Sequence, residues 1–156
     1  MDSNLETASK NRLIVLLPGS LAGSSDLAQK IHWMAVRERR SVLYLVLFDD
    51  PVEYSLITRE MATMTAMTTS SIVVVNAKLV FADEWFPALQ KTLLPGDILV
   101  CQAEQTVKTG LLHSTPLCEF LQNKLHTPIR VVSGYYKPFQ VQANLWLHKL
   151  LVWTGF

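Results

Sequence analysis

The sequence predicts a doubly wound α/β domain, a three-layer α/β/α sandwich around a five-stranded parallel sheet. Three observations lead there. Short, unbroken apolar runs recur along the chain, segments with helically spaced apolar residues separate them, and Gly/Pro signals stand at the joints. A strand buried on both faces reads as a continuous apolar run rather than an alternating one. Strands alternating with helices imply right-handed βαβ crossovers. At 156 residues, 49% of them hydrophobic, the chain has material for one domain with one well-covered sheet.

Residues 1–11 are polar and read as a tail. The first strand is the run Leu13-Ile14-Val15-Leu16-Leu17, closed by Pro18-Gly19-Ser20. Ser24, Ser25 and Asp26 offer N-caps for a helix carrying Leu27, Ile31, Met34 and Ala35. Residues 41–48 form the second strand, ended by Asp49-Asp50-Pro51, and residues 53–68 a helix with Ile57, Met61 and Met64 on one face. Its threonines lower the propensity of its far end. Residues 72–80 contain the third strand, led by Ile72-Val73-Val74-Val75. Asp83 caps the next helix, with Trp85, Phe86, Leu89 and Leu93, and Pro95-Gly96-Asp97 ends it. The fourth strand is Ile98-Leu99-Val100-Cys101, followed by a polar loop over residues 102–114. Pro116 opens a helix, with Ser114 or Thr115 as cap and Leu117, Leu121 and Leu125 on its buried side. Residues 129–132 form the fifth strand, and residues 139–153 a last, strongly apolar helix in which Trp146, Leu150 and Trp153 align. The division is a tail over 1–11, a domain over 12–136, and an apolar helix within 137–156 that docks on the domain or on a second subunit.

Charge narrows the function. The net charge is +1 and the only tight cationic cluster is Arg37, Arg39 and Arg40, so nucleic-acid binding has no basic surface to support it. Cys101 and Cys118 fall in no CxxC or Cys/His metal spacing, and two lone thiols fit a reducing, cytoplasmic setting. No apolar run is long enough to span a bilayer as a helix. GxGxxG, Walker and GxSxG spacings are absent, and His113 and His126 lack acidic or thiol partners at ligand spacing, so no metal and no catalytic constellation is expected. Cys101, at a strand end, reads as a small hydrophobe. Asp49 and Asp50 could face a ribose hydroxyl or Mg²⁺, and a strand-ending turn accounts for them equally well. Met61, Met64 and Met67 read as core.

In open parallel sheets ligands bind beyond the carboxyl ends of the strands, where the strand order reverses. Gly19 and Ser20, with Gly23, Ser24 and Ser25, could cradle an anion at a helix N-terminus. Lys108, Thr109, Ser114 and Thr115 could donate to phosphate. The candidate nucleotide or anion site is therefore Gly19, Ser20, Phe48, Lys108, Gly110, Ser114 and Thr115, all at or after strand ends.

These loops bring in a resemblance. Ile14-Val15-Leu16-Leu17-Pro18-Gly19-Ser20 is similar to the opening strand of the universal stress protein family, which ends in Asp-Gly-Ser. Gly110-Leu111-Leu112-His113-Ser114-Thr115, Phe120-Leu121 and His126-Thr127-Pro128-Ile129-Arg130-Val131-Val132 resemble the family's Gly-to-Gly-Ser stretch and its last helix and strand. The resemblance covers roughly residues 12–133. It implies an adenine-nucleotide alpha hydrolase-like fold and a homodimer built on the last strand.

The departures bear on the ligand. Residues 102–110 keep one glycine, Gly110, where ATP-binding members carry several. Only glycine lets backbone amides approach phosphate that closely. Pro18 replaces an acidic residue, His113 a glycine, and Glu104 adds negative charge. The chain therefore resembles the members without bound nucleotide. The expectation is a regulatory or interaction domain, not an enzyme, dimeric and without a resident cofactor. The alternatives are a domain that binds ATP, another adenine nucleotide or a small anion through the loop after the fourth strand, and an α/β enzyme with an unrecognised site.

Overall fold

In the computed structural model the chain is described over residues 11–19, 22–108 and 111–132. The tail, apart from Asn11, and the helix expected over 139–153 lie outside these residues, as do the candidate site residues Ser20 and Gly110.

Strand β1 (Arg12–Pro18) is the central strand, and its five apolar residues are all buried. It pairs in parallel with β2 (Ser41–Phe48) on one side and β4 (Ile98–Gln102) on the other. With β3 (Val75–Phe81) beside β2 and β7 (Ile129–Val132) beside β4, the order is β3-β2-β1-β4-β7, all parallel. Both faces are covered. Leu13, Val15 and Leu17 point toward helices α1 (Ser25–Glu38) and α2 (Tyr54–Thr68), while Ile14 and Leu16 point toward α3 (Trp85–Thr92) and α4 (Leu117–Lys124). Period-two alternation within one apolar run thus feeds two separate cores, the three-layer arrangement expected of such runs.

Helix boundaries follow local chemistry. Of the three candidate caps for α1, Ser24 serves: its Oγ accepts from the Leu27 amide at 3.4 Å. The helix ends at Arg39, which is left-handed (φ 53°) and donates its amide back to Ala35 and Val36 carbonyls. Asp50 accepts from Val52 N–H (2.9 Å) and caps a short 3-10 turn, Pro51–Glu53, that leads into α2. The helix nonetheless runs to Thr68, and the hydroxyls of Thr58, Thr63 and Thr68 each donate to the carbonyl four residues earlier. Met61 and Met64 are core, and Met67 is exposed.

Four expectations need correction. The run Ile72-Val73-Val74 precedes β3 and does not lead it. Val73 is 1% exposed, whereas Ile72 and Val74 are 71% and 61% exposed. Pairing with β2 begins only at Val42↔Val75, so one buried side chain, not a sheet face, explains the run. Asp83 does not cap α3 but lies within a 3-10 turn, Ala82–Glu84, with Glu84 at the cap position and no side-chain bond there. The polar stretch after β4 is not simply a loop: β5 (Thr106–Lys108) and β6 (Ser114–Pro116) form a small antiparallel hairpin. Ser114 and Thr115, paired with Lys108 and Val107, therefore do not cap α4. Pro116 takes the cap position, and the Leu117 amide donates to the Gln105 carbonyl at 2.8 Å instead.

Candidate functional site

The strand order reverses at β1, since one crossover runs to β2 and the other to β4. Beyond the carboxyl ends of these strands lies a cleft of about 640 Å³ on the α3/α4 side of the sheet. Its floor is apolar: Leu16, Leu47, Val107 and Leu117. One wall is Trp85, which opens α3 and packs on Phe86 (5.4 Å between ring centroids) and Phe120 (6.0 Å). Among the described residues the rim carries Asp49, Asp83, Glu104 and Lys108.

The hairpin side of the cleft is held by Gln105. Its Oε1 accepts from the Gln102 amide (2.9 Å), its Nε2 lies 3.5 Å from the Leu16 carbonyl of β1, and its own carbonyl receives the Leu117 amide. One residue thereby ties the β4 loop to the central strand and to α4. The loop is shaped by side-chain and hairpin bonds, where a phosphate-wrapping loop would use consecutive glycine amides.

The structure brings together part of the predicted site. Lys108 lines the cleft, and Ser114 and Thr115 stand beside it in the same hairpin. Gly19 is packed against the sheet. A Cβ there would lie 2.9 Å from both the Leu47 carbonyl oxygen and Ile57 Cδ1, and Gly19 itself does not line the cleft. Phe48 is not at the cleft either. It is buried, with its ring 4.4 Å from Phe81 and 5.8 Å from Tyr54. The anion cradle read at Gly23, Ser24 and Ser25 meets a carboxylate of the protein itself. Glu60 occupies the space beside Gly23, which is held at φ +87°.

Trp85, Gln105, Thr106 and Asp83 are cleft residues that the sequence reading missed as such. Their signal was positional: they follow directly on the ends of the third and fourth strands.

Other candidate groups lie elsewhere. Cys101 is buried, and desolvation, with the neighbouring Cys118 thiol adding to it, pushes its pKa from 9.0 up to about 12. Such a thiol is a poor nucleophile. His113 and His126 are exposed. Among the described residues no group of three His, Cys, Asp or Glu side chains could hold a metal ion, and no helix is long and apolar enough to cross a membrane.

No family model matches this chain, and no curated protein matches it in sequence. Among solved structures it is similar to a short-chain dehydrogenase from Oenococcus oeni PSU-1, at 14% identity over 74% of this chain and 50% of that one, with a TM-score of 0.39. It is also similar to the universal stress protein UspA from Lactobacillus plantarum, at 9% identity over 79% of this chain and 98% of that one, with a TM-score of 0.36. The chain spans half the length of the dehydrogenase. Neither likeness brings a ligand or a reaction to this chain. The α/β assignment stands on the parallel sheet and its two helical layers.

Proposed function

We propose that this is a regulatory or interaction domain of the universal stress protein type, not an enzyme, that works in the cytoplasm as a homodimer and without a resident nucleotide. The observation that carries the nucleotide part is the cleft's rim, where among the described residues the carboxylates of Asp49 and Asp83 stand with Lys108. A triphosphate entering there meets the exposed carboxylates of Asp49 and Asp83, whose repulsion acts through solvent and weakens with salt. The hairpin after β4 offers Lys108 but no run of glycine amides to compensate. Dimerisation is supported by the position of β7, the outermost strand on its side of the sheet among the described residues, with Val131 half exposed.

The test is a thermal-shift series against ATP, ADP and AMP, each with and without Mg²⁺. The expected result is no saturable shift. A ligand at a hundredfold excess over its Kd stabilises by about 2.7 kcal/mol. A saturable shift of that order would overturn the reading in favour of a nucleotide-binding domain acting through Lys108. Sedimentation velocity over a range of concentrations tests the assembly, and a strict monomer would sink the dimer.

A further inference from the structure

Among the described residues β3 is the outermost strand on the side of the sheet away from β7. The Val42 amide donates to the Val74 carbonyl (2.9 Å), and the register then runs from Val42↔Val75 to Phe48↔Phe81. In a parallel ladder successive residues turn their backbone groups to opposite sides. Those of Asn76, Lys78 and Val80 therefore face β2, and those of Val75, Ala77 and Leu79 face outward. Among the described residues no strand takes these outward groups.

The edge is flanked by a groove on each face of the sheet. Between β3 and α2 lies one of about 670 Å³, lined by small side chains that include Ala62, Thr65, Ala66 and Ala77. Between β3 and α3 lies one of about 480 Å³, where Lys78 and Lys91 outnumber Glu84. Neither lysine makes an ion pair among the described residues.

We propose that the outer edge of β3 is a docking site for an extended peptide segment whose side chains alternate between apolar and acidic. Backbone bonds to Ala77 and Leu79 would hold it as a sixth strand. Alternate side chains of an added strand fall on opposite faces. Apolar ones would enter the small-residue groove against α2, and acidic ones would meet Lys78 and Lys91. A second copy of this chain fits poorly. Lys78 is the middle residue of β3, so full-length antiparallel self-pairing sets it opposite its own copy, and like charges directly opposite destabilise a sheet. A lysine at the centre of an edge selects against a like strand, and an acidic side chain on the adjacent strand would form a favourable cross-strand pair with it.

The probes are a capped octapeptide of alternating valine and glutamate and its counterpart with lysine for glutamate, titrated into isotope-labelled full-length protein. The expected result is that the Ala77 and Leu79 amides shift and gain protection from exchange with the glutamate peptide. The lysine peptide should bind about tenfold more weakly, or worse. Lys78→Glu with Lys91→Glu should invert that preference. Ala77→Pro deletes one outward N–H, at the kind of edge position where proline is tolerated, and should weaken binding by up to about tenfold. If Ala77→Pro unfolds the protein, the charge inversion alone decides. The proposal is overturned if neither peptide moves these amides, if they are already protected in the free protein, or if Ala77→Pro converts a dimer to a monomer, which would make a second copy the occupant. The nucleotide series reports on the cleft and these titrations on β3, so either reading can fail without the other.

Discussion

Arg12 and Asp97 clasp each other at the amino ends of β1 and β4, with Arg12 NH2 2.7 Å from Asp97 Oδ2 and Nε 3.2 Å from Oδ1. The Asp97 side chain is fully buried and also accepts from the amides of Leu94 (2.8 Å) and Arg12 (3.3 Å). The guanidinium makes a further bond to the Thr92 carbonyl. Removing one partner of a buried pair strands the other, at a cost of about 3–5 kcal/mol. Asp97→Ala should therefore lower the urea midpoint by an amount equivalent to about 3 kcal/mol, with the slope unchanged. The double variant Arg12→Met with Asp97→Asn should recover part of that loss. A change below about 1 kcal/mol would show that the pair behaves like a surface one.

If negative charge at the rim is what excludes phosphate from the cleft, neutralising it should admit phosphate. Asp49→Asn with Asp83→Asn removes two carboxylates from the rim that carries Lys108. This variant should show a saturable, salt-sensitive thermal shift with pyrophosphate or ATP that the unaltered protein lacks. An unchanged response in both proteins would place the obstacle in the shape of the hairpin and not in its charge.

Two buried acids set the alkaline limit of stability. Desolvation raises the Tyr44 phenol well above its usual range, only partly offset by its hydrogen bond to Thr68 Oγ1 (2.7 Å), and raises the Cys101 thiol from 9.0 to about 12. Both folded-state values lie above the unfolded ones, so the unfolded chain gives up these protons first. The Cys101 contribution is complete below pH 9 and is lost as pH rises toward 12, while the Tyr44 contribution begins to be lost only above pH 10. While only the unfolded form has ionised, each group lowers stability by about 1.4 kcal/mol per pH unit. Urea midpoints measured from pH 8 to 11 should fall more gently in Tyr44→Phe. That variant loses about 1 kcal/mol at neutral pH with the Thr68 bond. Thiol reagents should modify Cys118 before Cys101.

Gly19 is confined by backbone, and a flexible neighbour could not relieve it. A methyl group there would sit 2.9 Å from the Leu47 carbonyl oxygen, which is fixed within β2. Gly19→Ala should cost about 1–3 kcal/mol of stability, as overpacking does, with no direct effect on the cleft. Melting curves would check this, and a neutral result would mean that β1 and β2 can separate at their carboxyl ends.

Where the sheet is buried on both faces, its strands could be read directly. Leu13 to Leu17 and most of β2 are buried as such runs require, and the alternation with helices pointed to a parallel sheet, whose strand order only the structure supplies. Edges were harder. Ile72 and Val74 are apolar yet exposed, so composition pointed to the wrong end of β3, and only pairing with β2 fixes its start at Val75. The β5–β6 hairpin was invisible because three-residue polar strands carry no periodicity, and Val107 is the one apolar residue of β5. Lys108 could be placed at the site because it follows β4 closely. Trp85 could not, since its helical spacing with Leu89 reads as core and its position over the cleft depends on the turn before α3. Phe48 failed for the converse reason: a strand-end aromatic was assigned to a ligand, but Phe81 and Tyr54 take its ring.

The central strand of the sheet leaves the ribosome before the other four strands of that sheet. β1 finds β2 about thirty residues later, but its second edge is sealed only when Ile98–Gln102 has emerged and set Leu13, Ile14 and Val15 opposite Ile98, Leu99 and Val100. Until then the nascent chain carries one of its most apolar segments with a bare edge, the condition under which strands from neighbouring chains cross-pair. Slowed translation between β3 and β4 should therefore lower soluble yield more than the same delay placed after β4.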